Sequence, residues 1–395
     1  MSDGLKRRIG LGLLTAYGVG VMVGAGIYVL VGAVVAEAGI WSPLAFVIAG
    51  LIAAPTAFSY AEFSTRLPEA AGEAAFVAQG FKAQWLGILV GLAIVAAGSV
   101  SAAAVLRGGA GYLISIVDLP FDWVVIGLGA VLTLIAVLGV LESLSVAAVF
   151  TAVELIGLGL VIWAGAGAEP TPDFNLPADP VWSGIGAGAV LAFFAFIGFE
   201  DIVNMAEEVD NPTRTMPRAI LLSLGITSLV YALVAIAAVR AVPLADLAAS
   251  EKPLVLVWQA NTDGSVVVLS AIAVAAALNG VLAQIVMVSR VLFGLGRRTR
   301  FLAIFHHAGS RFGTPVLASV LIGIAVVAGA LLLPLATLAE ATSTILLGVF
   351  VLVNLALILL KRRVPDASFR VPTVVPVLGL LGSLAALAVT LEPWV

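Results

Sequence analysis

The sequence has 395 residues, of which 62% are hydrophobic and 11% are charged, with a mean hydropathy of +1.18 and a formal net charge of −4. Soluble domains carry about 45–50% apolar and roughly 25% charged residues, so this composition excludes a soluble globular protein and indicates one whose solvent is lipid. The chain has no cysteine, which excludes disulfides, thiolate metal sites and thiol catalysis.

Eleven segments reach the length of about 20 apolar residues that a helix needs to cross the hydrocarbon core. Numbered as spans one to eleven, they are residues 10–36, 42–64, 85–116, 122–141, 146–166, 184–206, 218–240, 264–296, 314–334, 336–360 and 371–391. The first follows a basic start but has no small-residue cleavage pattern, so we interpret it as a retained helix and not as a signal peptide. The division between spans nine and ten depends on Pro334. The predicted fold class is an all-α polytopic membrane protein.

The positions of the basic residues indicate the orientation. If the N-terminus is cytoplasmic, inside-facing segments carry all Lys and Arg residues except Arg107, Arg240 and Lys252. This positive-inside bias supports both the count and the orientation. It predicts a multi-pass protein of the cytoplasmic membrane whose C-terminus, after eleven spans, lies outside.

Two connecting segments have structure-forming patterns of their own. Residues 243–260 are too short and too polar to span the membrane, so we expect a short helix over the outer face. Residues 297–311 mix basic and apolar residues, which is typical of a short interfacial helix on the inner face.

Span one contains two glycines at mid-depth, Gly24 and Gly26. Glycine costs about 1 kcal/mol relative to alanine in a helix interior. Gly20 and Gly24 have the GxxxG spacing with which membrane helices pack closely. For span one alone, packing is therefore a sufficient interpretation.

Span six is interrupted at the matching depth. Gly198 divides an aromatic run, and Glu200 and Asp201 follow at once. Carboxylates inside a bilayer are costly and face protein or water. Interruptions at corresponding positions of two halves are typical of transporters with inverted repeats, whose unwound segments line the substrate site.

Four motifs carry a family resemblance. They are GVGVMVGAGIYVLVG (18–32), AFSYAEFSTRLPEAAGE (57–73), FFAFIGFEDIVNMAEEVDNPTRTMPRAI (193–220), and SRVLFGLGRR with RFGTPVLAS (289–298 and 311–319). In order and over nearly the whole chain, they resemble the amino acid-polyamine-organocation permease superfamily. The resemblance implies one transporter domain (1–395) with the LeuT-like five-plus-five inverted repeat. Repeat one would be about 10–166, repeat two about 184–360, and an extra helix about 371–391. Family members commonly have twelve helices, so the resemblance implies that the last one is absent here.

The resemblance also implies where an amino acid binds. Its α-carboxylate would meet the backbone amides of the second half of span one, where the helix dipole is positive. Its α-ammonium would meet carbonyls near the two breaks. The substrate-binding residues predicted in this way are Val21, Met22, Val23, Gly24, Ala25, Gly26, Phe194, Ala195, Phe196, Ile197, Gly198 and Phe199, with Asn279 of span eight. Asn279 would line the pocket or cap a carbonyl.

Gating residues are predicted at both sides of the site. Phe196 and Phe199 would gate the pocket, unless they are ordinary lipid-facing aromatics. Glu207, Glu208, Arg214 and Arg218 would form a charge network at the inner face, unless they belong to a solvated loop.

Glu154 lies in the middle of span five. Burial favours the neutral form of a carboxyl, as a proton carrier requires, and proton-coupled relatives can carry a lysine near this point. The hypothesis is a role in proton coupling; the alternative is a structural hydrogen bond. Arg107 of span three either snorkels to the outer interface or pairs with an acid or a substrate.

No enzyme chemistry is indicated. The two histidines, His306 and His307, have no acidic or cysteine partners in sequence, and no GxxxxGK[ST] phosphate loop is present. We expect no cofactor, metal or nucleic-acid partner, and the oligomeric state stays open. The predicted function is secondary amino acid transport by alternating access, coupled to protons or to exchange. A membrane amino acid sensor is the alternative, and a passive channel is a third.

Overall fold

The structure is a computed structural model. It describes residues 9–67, 72–114, 116–138, 144–175, 179–206, 209–262, 264–307 and 314–391. Within these ranges the chain is helical and has no β-strand; a single parallel β-bridge pairs Ile9 with Val209.

The helices follow the predicted spans closely. In chain order they are α1 Leu11–Val23, α2 Ala25–Ala38, α3 Ser42–Arg66, α4 Gly72–Phe81, α5 Gln84–Leu113, α6 Phe121–Leu138, α7 Leu144–Gly167, α8 Pro172–Asn175, α9 Trp182–Phe194, α10 Pro212–Ala241, α11 Leu244–Ala249, α12 Pro253–Gln259, α13 Val266–Arg298, α14 Val316–Leu332, α15 Leu335–Arg363 and α16 Val374–Leu391. Spans one and six are the two that the structure interrupts, and α14 and α15 separate at Pro334 as predicted.

Seven helical stretches of the described residues are long and apolar enough to cross a membrane by length and composition. Four shorter apolar helices accompany them: Leu11–Val23, Trp182–Phe194, Val316–Leu332 and Val374–Thr390. An all-α polytopic membrane protein is thereby confirmed, whereas the number of eleven crossings stays a prediction.

The connecting segments differ from the predictions in detail. Residues 243–260 form two short helices, α11 and α12, instead of one, because Pro253 begins a second helix after an extended Ser250. The segment 297–311 contains a 3₁₀ helix at Arg300–Phe305, and the end of the predicted linker helix lies outside the described residues. Helix α4 was not predicted, because ten residues are too few to give a membrane-length signal.

Helices of the first half pack on helices of the second half with an offset of five spans. The pairs α3 with α10, α5 with α13, and α6 with α14 pack directly. Other contacts occur in exchanged pairs: α1 packs on α7 as α9 packs on α15, and α5 packs on α15 as α13 packs on α7. Two structurally equivalent repeats of five spans would produce this exchange of contacts.

A buried ion network joins α3 to α15 and to the segment before α16. The Glu62 carboxylate, fully buried, accepts hydrogen bonds from Arg66 (2.7 and 2.9 Å) and from the Lys361 ammonium (2.6 Å). Glu62 also accepts from the Val371 amide (2.9 Å), and Lys361 donates to the Val371 carbonyl (2.6 Å). Every charge in this network therefore has a partner, as burial requires.

We expect Lys361→Met to destabilise the folded protein strongly. The substitution leaves part of the Glu62 charge uncompensated, and breaking a buried ion pair typically costs about 3–5 kcal/mol. Thermal unfolding of the detergent-purified protein measures the effect as a fall in Tm. The neighbouring Arg362→Met removes an exposed cation and should leave Tm unchanged. Equal Tm shifts for the two variants would contradict the assigned role of the network.

Candidate functional site

The first break separates α1 from α2 at one residue. Gly24 has φ −33° and ψ −170°, which leaves the helical path, and its amide still donates to the Gly20 carbonyl (3.1 Å). The amides of the first turn of α2 begin a new helix, so they have no partner within it. Two of the three amides predicted for carboxylate binding, those of Ala25 and Gly26, lie in this turn, whereas the third, of Gly24, is bonded to α1.

The two glycines of the GxxxG pattern have different roles. A Cβ at Gly20 would clash with the Thr151 hydroxyl of α7, so Gly20 lets α1 approach α7 closely. A Cβ at Gly24 would meet only atoms of its own helix, at 3.5 Å or more. Packing therefore explains Gly20, and Gly24 belongs to the break.

The second break follows α9. Residues 195–199 form turns, and a 3₁₀ helix continues over Glu200–Met205. Gly198 has φ +126°, a conformation that side chains of L-residues rarely adopt. Its amide donates to the Glu200 carboxylate (2.9 Å), so one of the two acids that follow the break fixes its geometry.

The two breaks lie against each other. A Cβ at Gly26 would lie 3.2 Å from Ala195 Cα, and one at Gly198 would lie 3.1 Å from the Met22 amide nitrogen. Each break thus has a glycine where the other backbone approaches closely. Larger residues at either position would push the two breaks apart.

One tyrosine connects the two breaks. The Tyr231 hydroxyl of α10 lies 2.6 Å from the Met22 carbonyl and 2.8 Å from the Ala195 carbonyl, and the side chain is fully buried. Its ring packs edge-on against Phe46 and Phe196. Tyr231 was not predicted, because a tyrosine in an apolar span has no sequence signal that specifies contacts with two distant breaks.

The predicted carbonyl acceptors are partly engaged within the protein. Tyr231 occupies those of Met22 and Ala195, and the Phe194 carbonyl accepts from the Ile197 amide (3.2 Å). An ammonium group that binds the Met22 or Ala195 carbonyl must therefore share this acceptor with the Tyr231 hydroxyl or displace the hydroxyl.

The two predicted gating aromatics are fully buried and face away from the lipid. Phe196 packs on Tyr231, and Phe199 packs on Tyr60 and Phe350. Both rings belong to the packed interior, and the alternative that they face lipid is wrong. Their role as gates stays a prediction.

A narrow cavity lies beside the second break and leaves room for about one water molecule. Ile197 of the break lines it, and α5, α13 and α15 form its walls. The polar residues of its lining are Glu73, Ser101, Glu200, Asp201, Gln284 and Thr342. Three of these are acids, and none of the six was predicted as a site residue, although Glu200 and Asp201 were noted as acids that follow the break.

Glu154 and Asn279, predicted separately, face each other across α7 and α13. Glu154 is 1% exposed, and neither carboxylate oxygen has a partner at ordinary hydrogen-bond distance. The Tyr28 hydroxyl of α2 donates to the Glu154 backbone carbonyl (2.9 Å). A buried acid without a fixed hydrogen bond thus lies beside the helix that starts at the first break. Neither Glu154 nor Asn279 lines the cavity.

None of the remaining predicted charges that the structure describes lines the cavity. Arg107 donates to the Ala330 carbonyl of α14 (2.8 Å) and stacks on Phe121 (5.1 Å), so it ties α5 to α14. Arg214 and Arg218 are exposed at the start of α10. Their predicted partners Glu207 and Glu208 lie outside the described residues.

The described side chains contain no group of three or more His, Asp or Glu residues arranged to hold a metal ion. His306 packs on Phe293 with ring centroids 4.4 Å apart.

Comparison with known proteins identifies a family of transporters, in agreement with the two interrupted helices. The family model described as amino acid permease matches residues 9–393. The branched-chain amino acid permease BcaP of Bacillus subtilis is 28% identical over 95% of this chain and 86% of its own length. The vacuolar cationic amino acid transporter 4 of Arabidopsis thaliana is 29% identical over 82% of this chain, which spans 58% of that longer protein. The methylthioribose transporter of Bacillus subtilis is 29% identical over 85% of this chain and 78% of its own length.

Proposed function

This chain belongs to the amino acid permease family of the amino acid-polyamine-organocation superfamily, and we infer that it moves amino acids across the membrane by alternating access around the two joined breaks. The members of this family are transporters, and two relatives of this chain are named as an amino acid permease and an amino acid transporter. The observation that carries the proposal is the meeting of two interrupted helices, five spans apart, at one tyrosine hydroxyl.

The amino acid backbone is held by the protein backbone. The free amides of the first turn of α2 and the positive end of its dipole attract the α-carboxylate. Gly26 supports this proposal, because a side chain at this position would cover the amides. The α-ammonium then contacts the carbonyls of residues 21–23 and 195, where Tyr231 is the present donor.

Transport requires the breaks to open alternately to the two sides. Helix α11 lies against α2 so closely that a Cβ at Gly32 would be 2.6 Å from the Leu247 carbonyl. We assign α11 and α12 to the outer side, where they close the site in this conformation. The N-terminus and the basic helix ends lie in the cytoplasm, as the positive-inside bias indicates. The five-span exchange of contacts supports an inverted repeat.

Uptake of labelled amino acids into proteoliposomes tests this function. We expect time-dependent accumulation of at least one L-amino acid, which excess unlabelled substrate abolishes. Saturable binding to the purified protein without uptake would instead identify a membrane sensor. Uptake that does not saturate would identify a channel.

Glu154 is the proposed coupling residue. Its carboxyl is buried beside the first break, has no partner at ordinary hydrogen-bond distance, and lies near the Asn279 amide and the Tyr28 and Tyr231 hydroxyls. Such a group can exchange a proton with little rearrangement of its neighbours. Protons, or exchange of one amino acid for another, would then drive the transport cycle.

We expect Glu154→Gln to remove the pH dependence of uptake while preserving exchange. The amide has the shape of the protonated acid but cannot release a proton. Uptake measured with and without an inward proton gradient should respond to the gradient in the natural protein and in Glu340→Gln, but not in Glu154→Gln. Glu340→Gln, at an exposed position, is the matched control. A Glu154→Gln protein that keeps the full response would refute the coupling role.

A further inference from the structure

The cavity beside the second break has an unusual polar lining. Three carboxyl groups reach it, from Glu73, Glu200 and Asp201, and Glu73 and Glu200 are 6% and 4% exposed. Among the described residues that line the cavity, none is a Lys, Arg or His. Three acids in one narrow space repel one another when ionised, so the cavity favours a positive charge from elsewhere.

Two hydrogen-bond donors of the lining are already used within the protein. The Gln284 amide donates to the Ser101 hydroxyl (2.9 Å), and the Thr342 hydroxyl donates to the Leu338 carbonyl (2.8 Å). The Gln284 side-chain oxygen, by contrast, is buried and has no partner. Buried polar groups normally find a partner, so this acceptor independently indicates a ligand that donates hydrogen bonds.

Other titratable groups around the acids do not supply the missing charge. Tyr60 of α3 lies near Glu73, and Tyr17 of α1 lies near Asp201. Arg290 of α13 lies near Tyr17, but it is exposed and does not line the cavity. Burial raises the pKa of Glu73 to about 7, which means that this acid keeps its proton up to neutral pH when no cation is near. The walls from α5, α13 and α15 contribute Ser101, Gln284 and Thr342, which do not titrate.

We propose that this cavity receives the positively charged end of the substrate's side chain, so that the transported amino acids are those with an ammonium or guanidinium side chain. The proposal rests on the function inferred above and specifies its substrate class. A substrate held by its α-carboxylate at α2 would extend its side chain past Ile197 into the cavity. The cavity has room for one water here, so binding must widen it, and the unbranched side chains of Met287 and Gln284 are suited to move.

The test compares pairs of equal shape and different charge. In proteoliposomes, L-lysine should be preferred over L-norleucine, and L-arginine over L-citrulline, each by at least about tenfold, which one or two charge-assisted hydrogen bonds supply. Equal preference within both pairs, or preference for the neutral members, would overturn the proposal and leave amino acid transport intact.

Substitutions of the cavity acids test whether the preference for a charged side chain arises in this cavity. Asp201→Asn and Glu73→Gln should each reduce the lysine-over-norleucine ratio by about tenfold while norleucine uptake persists. Glu37→Gln, at an exposed acid on α2, should leave the ratio unchanged. An unchanged ratio in both cavity variants would refute the assignment of the charge preference to this cavity.

A binding measurement separates this proposal from the function on which it rests. The thermal unfolding of the purified natural protein should shift upward with L-lysine and less with L-norleucine. If lysine stabilises the protein but neither amino acid is taken up, the transport function fails and the cavity assignment stands. If norleucine stabilises as well as lysine, the cavity assignment fails.

Discussion

A Gly26→Val variant is expected to lose amino acid uptake while it still folds and inserts into the membrane. A Cβ at Gly26 would lie 3.2 Å from Ala195 Cα, and valine adds two methyl groups to it. The two breaks must then separate, at a typical cost of overpacking of about 1–3 kcal/mol. Because the valine also covers the amides of α2, we expect uptake to fall by about 100-fold, the factor that roughly 3 kcal/mol represents.

The control for this variant is Gly12→Val on α1. A Cβ at Gly12 has no neighbour within 4 Å, so the same substitution adds the same volume without a clash. Uptake rates normalised to the amount of monodisperse protein separate loss of function from loss of folding. If Gly26→Val transports like Gly12→Val, Gly26 is an ordinary helix residue and the first break is not the binding site.

A Tyr231→Phe variant is expected to transport at a rate reduced about tenfold or more. The substitution keeps the ring contacts with Phe46 and Phe196 but removes the hydroxyl between the Met22 and Ala195 carbonyls. A buried acceptor that loses its partner costs about 1–3 kcal/mol. The breaks lose their common donor, so we expect the maximal uptake rate to fall more than the thermal stability does.

Ser228→Ala is the matched control for Tyr231→Phe. It removes a hydroxyl from the same helix, but Ser228 donates only to the Leu224 carbonyl of α10 (2.8 Å). We expect uptake by this variant to equal that of the natural protein. A Tyr231→Phe protein with a normal uptake rate and a lowered Tm would show that Tyr231 stabilises the fold without positioning the breaks.

The helices and both breaks were predictable because their signals are local. The length of the apolar segments predicted the spans, and glycines at equivalent depths in spans one and six predicted the interruptions at Gly24 and Gly198. The sequence was ambiguous about Gly20 and Gly24, because close packing and helix interruption both use glycine. The two roles are distinguished only by the atoms that surround each glycine in the folded structure.

The contacts of the site were not predictable because they join residues far apart in the chain. Glu154 and Asn279 were both noticed as polar residues in apolar spans, but their pairing depends on how α7 and α13 pack. Tyr231 reaches carbonyls about 209 and 36 positions away. Glu73 lies within a family-like motif, yet its place at the cavity follows from the short helix α4, which has no membrane-length pattern.

Capture of the α-carboxylate by the α2 amides is the central claim, and one competition measurement tests it most directly. Uptake of a labelled substrate by the natural protein is measured against its unlabelled form and against the corresponding amine without the carboxylate. The pair is L-lysine and cadaverine if cationic amino acids are transported, and L-leucine and isoamylamine otherwise. We predict that the amine fails to compete at concentrations where the amino acid competes fully. An amine that competes as well as the amino acid would contradict carboxylate binding at the first break.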